Sequence, residues 1–294
     1  MESIKSSINY IFFKLAHGYI ILITLVIVAI LSWIAVFANA ETGELGIYFF
    51  DVGQGDAIFM NFPDGKQVLV DGGPDDKVVE KLNSVMPFWD RSIDIMIATH
   101  ADADHITGLV PALEHYEIGT VIWNGVPAET EIFEKWNEAV LSEGAEVLAG
   151  EYGMRIWMSK VSFLEILHPS KLTGSDPVSF EQNDLSVVFR LVYGDDTFLF
   201  TGDIERVVEQ LIVSSDNAIG SKILKIPHHG SKTSSSELFL REVNPKTVII
   251  SAGRDNSYGH PHDAVLQRFE KYGIEIRRTD LEGDILLRSN GKSF

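Results

Sequence analysis

The densest concentration of reactive side chains lies in Thr99-His100-Ala101-Asp102-Ala103-Asp104-His105-Ile106-Thr107-Gly108. His100, Asp102, Asp104 and His105 place four ligand-type groups within six residues. Imidazole and carboxylate together suit a borderline or hard divalent cation such as Zn, Mn or Fe. A helix cap needs only one carboxylate, so capping alone does not account for the pair of aspartates. Cysteine is absent from the chain. A metal site must therefore be built from His, Asp and Glu, and no disulfide-linked partner is available.

These residues need elements to hold them. An apolar run at 93–99 reads as a buried strand feeding the cluster, and 106–116 reads as the helix behind it. Other ligand-type residues also follow apolar strands: Asp71 after 67–70, His168 after 162–167, Asp203 after 197–200, and the pair His228-His229 after 222–226. Loops at strand ends can converge over a rigid frame, and that is where a site is expected. Further strands are expected at 47–52, 57–62, 121–123, 146–148, 155–157, 185–191 and 248–251. Helices are expected at 75–85, 129–143, 204–211 and 262–272. Hairpins among the strands imply mixed sheets in a layered α/β protein. Periodicity does not distinguish one sheet from two. Gly53-Gln54-Gly55-Asp56 reads as a tight turn, because it lacks the spacing and the following helix of a phosphate-binding loop.

Two loops add candidate substrate contacts. Ser231, Lys232, Thr233 and Ser234 form a hydroxyl-rich turn before a helix, able to cap it and to hydrogen-bond a phosphate. Asn256, Tyr258, His260 and His262 lie in another loop after a strand. His260 or His262 is placed to protonate a leaving oxygen or hold a phosphate, and His262 has helix capping as its alternative. His115 reads as a surface or boundary residue.

The formal net charge is −18, which favours solubility and opposes non-specific adhesion to nucleic acid. A nuclease is still compatible with it, because bound metals invert the local field. Residues 19–38 carry no charge over 20 residues, the length of a membrane-spanning helix. Lys5 and Lys14 precede this run, and Glu41 and Glu44 follow it. The lysine bias predicts a cytoplasmic segment at 1–18, a transmembrane anchor at 19–38, a spacer at 39–46 and an extracytoplasmic domain at 47–294. Ala38-Asn39-Ala40 fits a signal-peptidase pattern, so a cleaved signal peptide and a secreted domain form the alternative.

The metal loop resembles that of the metallo-β-lactamase superfamily, His-x-His-x-Asp-His, with Asp102 in place of the second histidine. Phe50-Asp51-Val52-Gly53-Gln54-Gly55-Asp56-Ala57, Pro227-His228-His229-Gly230-Ser231-Lys232-Thr233 and Tyr258-Gly259-His260-Pro261-His262 extend the likeness. Together they resemble the C-terminal hydrolase domain of ComEC-type DNA-uptake proteins. The resemblance implies a four-layer αββα sandwich with the site at the shared end of two sheets. It implies two divalent ions, Mn or Zn. His100, Asp102 and His168 would hold one, and Asp104, His105 and His228 or His229 the other, with Asp203 bridging; His228 is the preferred member of the pair. Asp104 would also orient the nucleophile, Asp71 would orient the metal loop, and Asp51, Gln54 and Asp56 would face the site. The implied activity is a membrane-tethered nuclease or phosphodiesterase using a hydroxide bridged by two metals. Its phosphodiester substrate would be DNA, and a separate chain would provide the membrane channel. The alternatives are a hydrolase of cell-envelope or small-molecule phosphoesters and a non-enzymatic metal-binding partner subunit. Asp102 adds oxygen character and shifts the expected metal toward Mn.

Overall fold

The computed structural model describes residues 14, 16–33, 43–169, 181–215 and 218–292. The chain divides into two compact units, 1–43 and 44–294. In the first, helix α1 spans Ala16–Trp33 with a mean hydropathy of 2.1, and none of that span is buried. A rise of about 1.5 Å per residue gives such a helix roughly 27 Å, close to the bilayer's hydrocarbon thickness. It is long and apolar enough to serve as a membrane anchor or a signal sequence. Residues 34–38 of the expected span, and the Ala38-Asn39-Ala40 pattern, lie outside the described residues.

The second unit begins with β1 (Leu45–Phe49), β2 (Ile58–Asn61), β3 (Gln67–Val70), α2 (Lys77–Val85) and β4 (Ser92–Ala98). It continues through α3 (Ala103–Ile106), α4 (Leu109–His115), β5 (Glu117–Trp123), α5 (Glu131–Glu143), β6 (Glu146–Ala149) and β7 (Arg155–Trp157). Next come β8 (Ser162–His168), β9 (Val188–Tyr193), β10 (Asp196–Phe200), α6 (Arg206–Ser214), β11 (Ile223–Lys225), α7 (Glu237–Val243) and β12 (Thr247–Ile250). It closes with α8 (Asp263–Tyr272), β13 (Glu275–Arg278), α9 (Thr279–Glu282) and β14 (Ile285–Ser289).

The strands form two seven-stranded sheets, ordered β14-β1-β2-β3-β4-β5-β6 and β7-β8-β9-β10-β11-β12-β13. Each runs through three antiparallel pairings and then three parallel ones. The two halves therefore repeat one plan, and β14 returns from the end of the chain to complete the first sheet.

Alternation along the strands explains the layers. In β1, Leu45, Ile47 and Phe49 face the second sheet, where Phe49 stacks on Phe200 with ring centroids 6.2 Å apart. Tyr48 packs on the outer face with Phe59, Leu69, Val78 and Leu82, under the first helical layer. Leu199, Leu224 and Val248 of the second sheet pack against Val208, Phe239, Val265 and Phe269 of α6–α8. The order is helix, sheet, sheet, helix, as expected.

Local departures have physical causes. The expected helix at 106–116 divides into α3 and α4 around Thr107-Gly108. There the loop after β3 docks so closely that a Cβ on Gly108 would lie 1.9 Å from the Gly72 carbonyl. The strand expected at 185–191 starts later, because Asn183–Leu185 forms a 3-10 turn. β13 and β14 have no counterpart among the sequence expectations. β13 reads Glu-Ile-Arg-Arg, an edge strand with little apolar signal.

Candidate metal centre

The metal loop leaves β4 against the carboxylate of Asp71 and the backbone of the loop after β3. Asp71, at the end of β3, adopts φ 54° and is fully buried. One carboxylate oxygen accepts the Thr99 backbone N–H at 2.8 Å. The other lies 2.8 Å from both Thr99 Oγ1 and His105 Nδ1. The His105 ring is thereby turned with Nε2 outward. Gly72 donates to the His105 carbonyl at 2.7 Å, and Gly108 to the Gly73 carbonyl at 3.0 Å. These contacts clamp the turn from both sides.

Asp102 occupies the N-cap position of α3, yet its side chain accepts no capping hydrogen bond. Its carboxylate lies 3.6 Å from His100 Nε2 instead. Asp104, His105, Asp203 and His229 converge, with their ligand-type atoms all within 4.8 Å of one another. His105 Nε2 is 3.4 Å from Asp203, and His229 Nε2 is 3.3 Å from Asp104 and 3.5 Å from Asp203. The His100 and His105 ring centroids are 4.1 Å apart. Each of these residues lies in a segment that follows β4, β10 or β11, so the cluster joins both halves of the repeat.

Of the histidine pair, His229 stands in this cluster. His228 and His229 take φ 50° and 52° in the turn after β11, a left-handed backbone that sends successive rings in different directions. His229 Nδ1 faces the Ser251 carbonyl at 2.9 Å, which aims Nε2 at the carboxylates. His228, preferred from sequence, places Nδ1 3.4 Å from Glu205 and Nε2 3.5 Å from Asn183. His168 is buried with Nε2 2.8 Å from the Asp184 carbonyl; like His100 and Asp102, it belongs to neither ligand-type group found among the described residues.

The supporting residues separate in the same way. Asp56 is buried and lies within 4.8 Å of Asp71 and His105 by its ligand-type atoms. Asp51 closes its own turn by accepting the Gly53 N–H at 3.2 Å. Gln54 accepts the Gly253 N–H at 3.1 Å and reaches the cavity wall. That cavity, of about 150 Å³, is lined by Gln54, Asp102, Asp104, Asn183, Asp203, His228, His229, Tyr258 and His260.

Several expected substrate contacts are spent inside the fold. Ser234 is fully buried and donates to backbone carbonyls of its own turn. The Ser231 and Thr233 hydroxyls lie 2.8 Å apart, and Thr233 donates to Glu205 at 2.9 Å. Lys232 is exposed beyond the cavity lining, and its carbonyl accepts from Arg206. The cap of α7 is Ser236. Asn256 bonds to Gly253 and to both backbone groups of His260, shaping the loop. His262 is exposed and caps α8 by accepting the Ala264 N–H at 3.2 Å. His260 and Tyr258 do reach the cavity, with ring centroids 5.9 Å apart. Sequence reading missed Glu205, Asn183 and Lys225.

Burial acts against charge on His105, but Asp203, Asp71 and Asp104 outweigh it and hold its pKa well above the ordinary value. His229 is likewise raised against burial, by Asp203, Asp104 and Asp56. Burial would raise Asp203, yet His229 and His105 hold it well below the carboxylate range, and Asp104 is lowered by the same histidines. His260 is pushed down to about 4 by burial and by neighbouring His228 and His229. Nε2 of His100, His105 and His229, and Oδ1 of Asp203, are buried without a hydrogen-bond partner among the described residues. Buried polar atoms require partners. Converging imidazole and carboxylate atoms of this kind fit divalent ions.

A family profile described as the metallo-beta-lactamase superfamily matches residues 50–254. "ComE operon protein 3" of Bacillus subtilis is 33% identical over 85% of this chain and 33% of its own length. "Competence protein ComA" of Neisseria gonorrhoeae is 30% identical over 82% of this chain and 32% of its own. The chain thus spans about a third of the curated relatives it matches. Among solved structures, the CmlA β-hydroxylase of Streptomyces venezuelae superposes with a TM-score of 0.51 at 14% identity, covering 83% of this chain and 54% of that one. Zn²⁺-bound PqqB of Methylobacterium extorquens gives 0.50 at 10%, covering 80% and 87%. Those likenesses concern the fold alone. By the profile match, the paired sheets and the His/Asp cluster at their shared end, the chain belongs to the metallo-β-lactamase superfamily, as a metal-dependent hydrolase related in sequence to the competence proteins.

Proposed function

We propose that this chain hydrolyses phosphodiesters, with DNA as its leading substrate, at two divalent ions held at the shared end of its sheets. The observation that carries the reading is the set of buried His and Asp atoms without a hydrogen-bond partner among the described residues, beside an open cavity that segments from both sheets help to wall. We assign Asp104, His105 and His229 to one ion, His100 and Asp102 to the other, and Asp203 to both. His168 supports Asp184 behind them. Three carboxylates among the ligands weight the choice toward Mn, while three imidazoles keep Zn compatible. Such ions supply a deprotonated water at neutral pH and a counter-charge for phosphoryl oxygens.

The chain's own groups do the rest. Asp71 fixes the His105 tautomer, and Asp104 lies at the cavity edge to orient the nucleophile. His260, neutral near pH 7, presents an imidazole suited to hydrogen-bond a phosphoryl or leaving oxygen. Helix α1 fits a single-pass anchor with the hydrolase unit outside the cytoplasm, and cleavage after Ala40 would instead release it. DNA as substrate, and a channel supplied by a separate membrane protein, draw support from the likeness to ComEC-type uptake proteins. The charge of −18 favours a second reading, a smaller phosphodiester of the cell envelope.

The test uses the full chain in detergent, stripped of metal and resupplied with Mn, Zn or Mg. Single-stranded DNA, duplex DNA and bis-p-nitrophenyl phosphate are offered to it and to a His100→Ala, Asp203→Ala double variant. Metal-dependent DNA cleavage lost in the variant supports the nuclease reading. Cleavage of the small diester alone moves the assignment to the envelope substrate. No hydrolysis by a metal-loaded chain refutes the phosphodiesterase assignment.

A further inference from the structure

Beneath the metal centre lies a buried cation that the assigned chemistry leaves unused. Lys225 ends β11, and its side chain is 1% exposed. Its Nζ lies 2.6 Å from Asp56 Oδ2 and donates to the Ile226 carbonyl at 3.0 Å. Asp56 is 2% exposed, and its Oδ1 lies 3.6 Å from His229 Nδ1. That oxygen has no hydrogen-bond partner among the described residues. The Asp56 backbone N–H donates to the Asp104 carbonyl at 3.3 Å. One loop, the Gly53-Gln54-Gly55-Asp56 turn, thus reaches two ligand-bearing segments at once. Its fit is tight, since a Cβ on Gly55 would lie 2.2 Å from that same carbonyl.

Stability does not explain the pair. Desolvating two charges costs as much as their attraction returns, and apolar residues of similar volume often serve as well. Its place beneath the ligands suggests an electrostatic purpose. Counted as carboxylates against neutral ligand imidazoles, the ligands Asp102, Asp104 and Asp203 and the supports Asp56 and Asp71 bring five negative charges. Lys225 leaves a net four, the charge that two divalent ions cancel before a hydroxide joins them. Without Lys225 the site would be over-negative with two ions bound, and without Asp56 it would hold an uncompensated ammonium close to them.

We propose that Asp56 and Lys225 form a positioning and charge-setting pair for the metal centre: Asp56 braces His229 and the Asp104 loop, and Lys225 sets the charge the site draws from bound ions. This rests on the metal-centre reading above. It predicts opposite effects from the two halves of the pair. Lys225→Met removes the cation at similar volume, so Mn²⁺ affinity rises, about tenfold on the scale of residues that support metal ligands. Asp56→Asn leaves the cation unopposed, so affinity falls by about the same factor. The double variant restores the balance and returns affinity toward wild type.

Titration calorimetry of the metal-stripped full chain in detergent, at one fixed pH, reads these shifts directly. Thermal melts with and without Mn²⁺ accompany it. Opposite shifts that cancel in the double variant support the proposal. Equal losses in both single variants, with metal-free and metal-loaded melts falling together, show a packing role and overturn it. If Lys225→Met does not fold, Asp56→Asn decides. Weaker Mn²⁺ binding by a variant that still folds supports the pair's role, and unchanged binding overturns it. A wild-type chain that binds neither Mn²⁺ nor Zn²⁺ overturns the metal-centre reading itself, and this inference with it.

Discussion

Asp71 spends both carboxylate oxygens on the loop that carries the ligands, and an amide cannot replace it there. In Asp71→Asn the oxygen can still accept the Thr99 N–H, but the NH₂ group would face His105 Nδ1. Two donors cannot share that contact, so the imidazole proton moves to Nε2, the atom aimed at the metal. Metal affinity is expected to fall about 10–100-fold with little change in the melt of the metal-free protein. Calorimetric Kd values equal to those of the wild type would show that Asp71 does not set the tautomer. Protons and metal also compete at His105 and His229, whose pKa values are both raised by carboxylates. In the metal-free chain, that charge pairing stabilises the fold fully below the ordinary histidine value of 6.5 and fades as pH rises through the elevated native values. Ligation needs neutral imidazole, so apparent metal affinity should climb over the same rising interval. Binding heats compared in buffers of different ionisation enthalpy will report the released protons. No proton release near neutral pH would contradict the ion-paired metal-free cluster.

At the level of elements, close backbone approach positions the site as much as side chains do. A methyl group on Gly108 would meet Gly72 and Asp75 carbonyl oxygens at 1.9 and 2.6 Å, so Gly108→Ala must push α4 away from the loop after β3. We expect a loss of about 2–4 kcal/mol in urea unfolding together with weaker metal binding, because the same loop carries Asp71. Glu209 offers the contrast. It is buried in α6 and accepts the backbone N–H groups of Ser235 and Ser236 at the start of α7. Removing it in Glu209→Ala orphans buried donors, at about 1–3 kcal/mol. Metal affinity should hold, since these groups lie outside the ligand cluster. The sequence made much of this frame legible. Apolar runs ending in His or Asp announced β4, β8, β10 and β11, because a polar ligand following a buried strand is a strong local signal. It did not announce β13, whose charges suit an exposed edge, or β14, whose place is fixed by pairing with β1 more than two hundred residues away. Nor did it separate His228 from His229. Their difference is one of backbone φ and the carbonyl that each ring meets, and neighbouring identical residues carry no mark of either.

Across the whole molecule, the excess of acid sets how a polyanionic substrate can arrive. A nuclease that tracks the phosphate backbone with Lys and Arg loses affinity steeply as salt rises, through counterion release. This chain has 24 basic against 42 acidic residues, and its cavity is walled by Asp102, Asp104 and Asp203. Long-range forces on DNA are therefore repulsive until the bound ions neutralise the mouth of the site. Screening relieves that repulsion, with a Debye length shrinking from about 30 Å at 0.01 M to 8 Å at 0.15 M. With metal concentration held constant, kcat/KM for single-stranded DNA should rise over that interval, while bis-p-nitrophenyl phosphate, with a single charge, should change little. Initial rates on both substrates across a salt series provide the measurement. A steep fall for DNA would reveal a basic track hidden by the overall charge. A rise confined to DNA would place recognition in the metal centre and its immediate walls, and would make the charge of that centre, including the Asp56–Lys225 pair beneath it, the quantity that governs substrate choice in the phosphodiesterase proposed above.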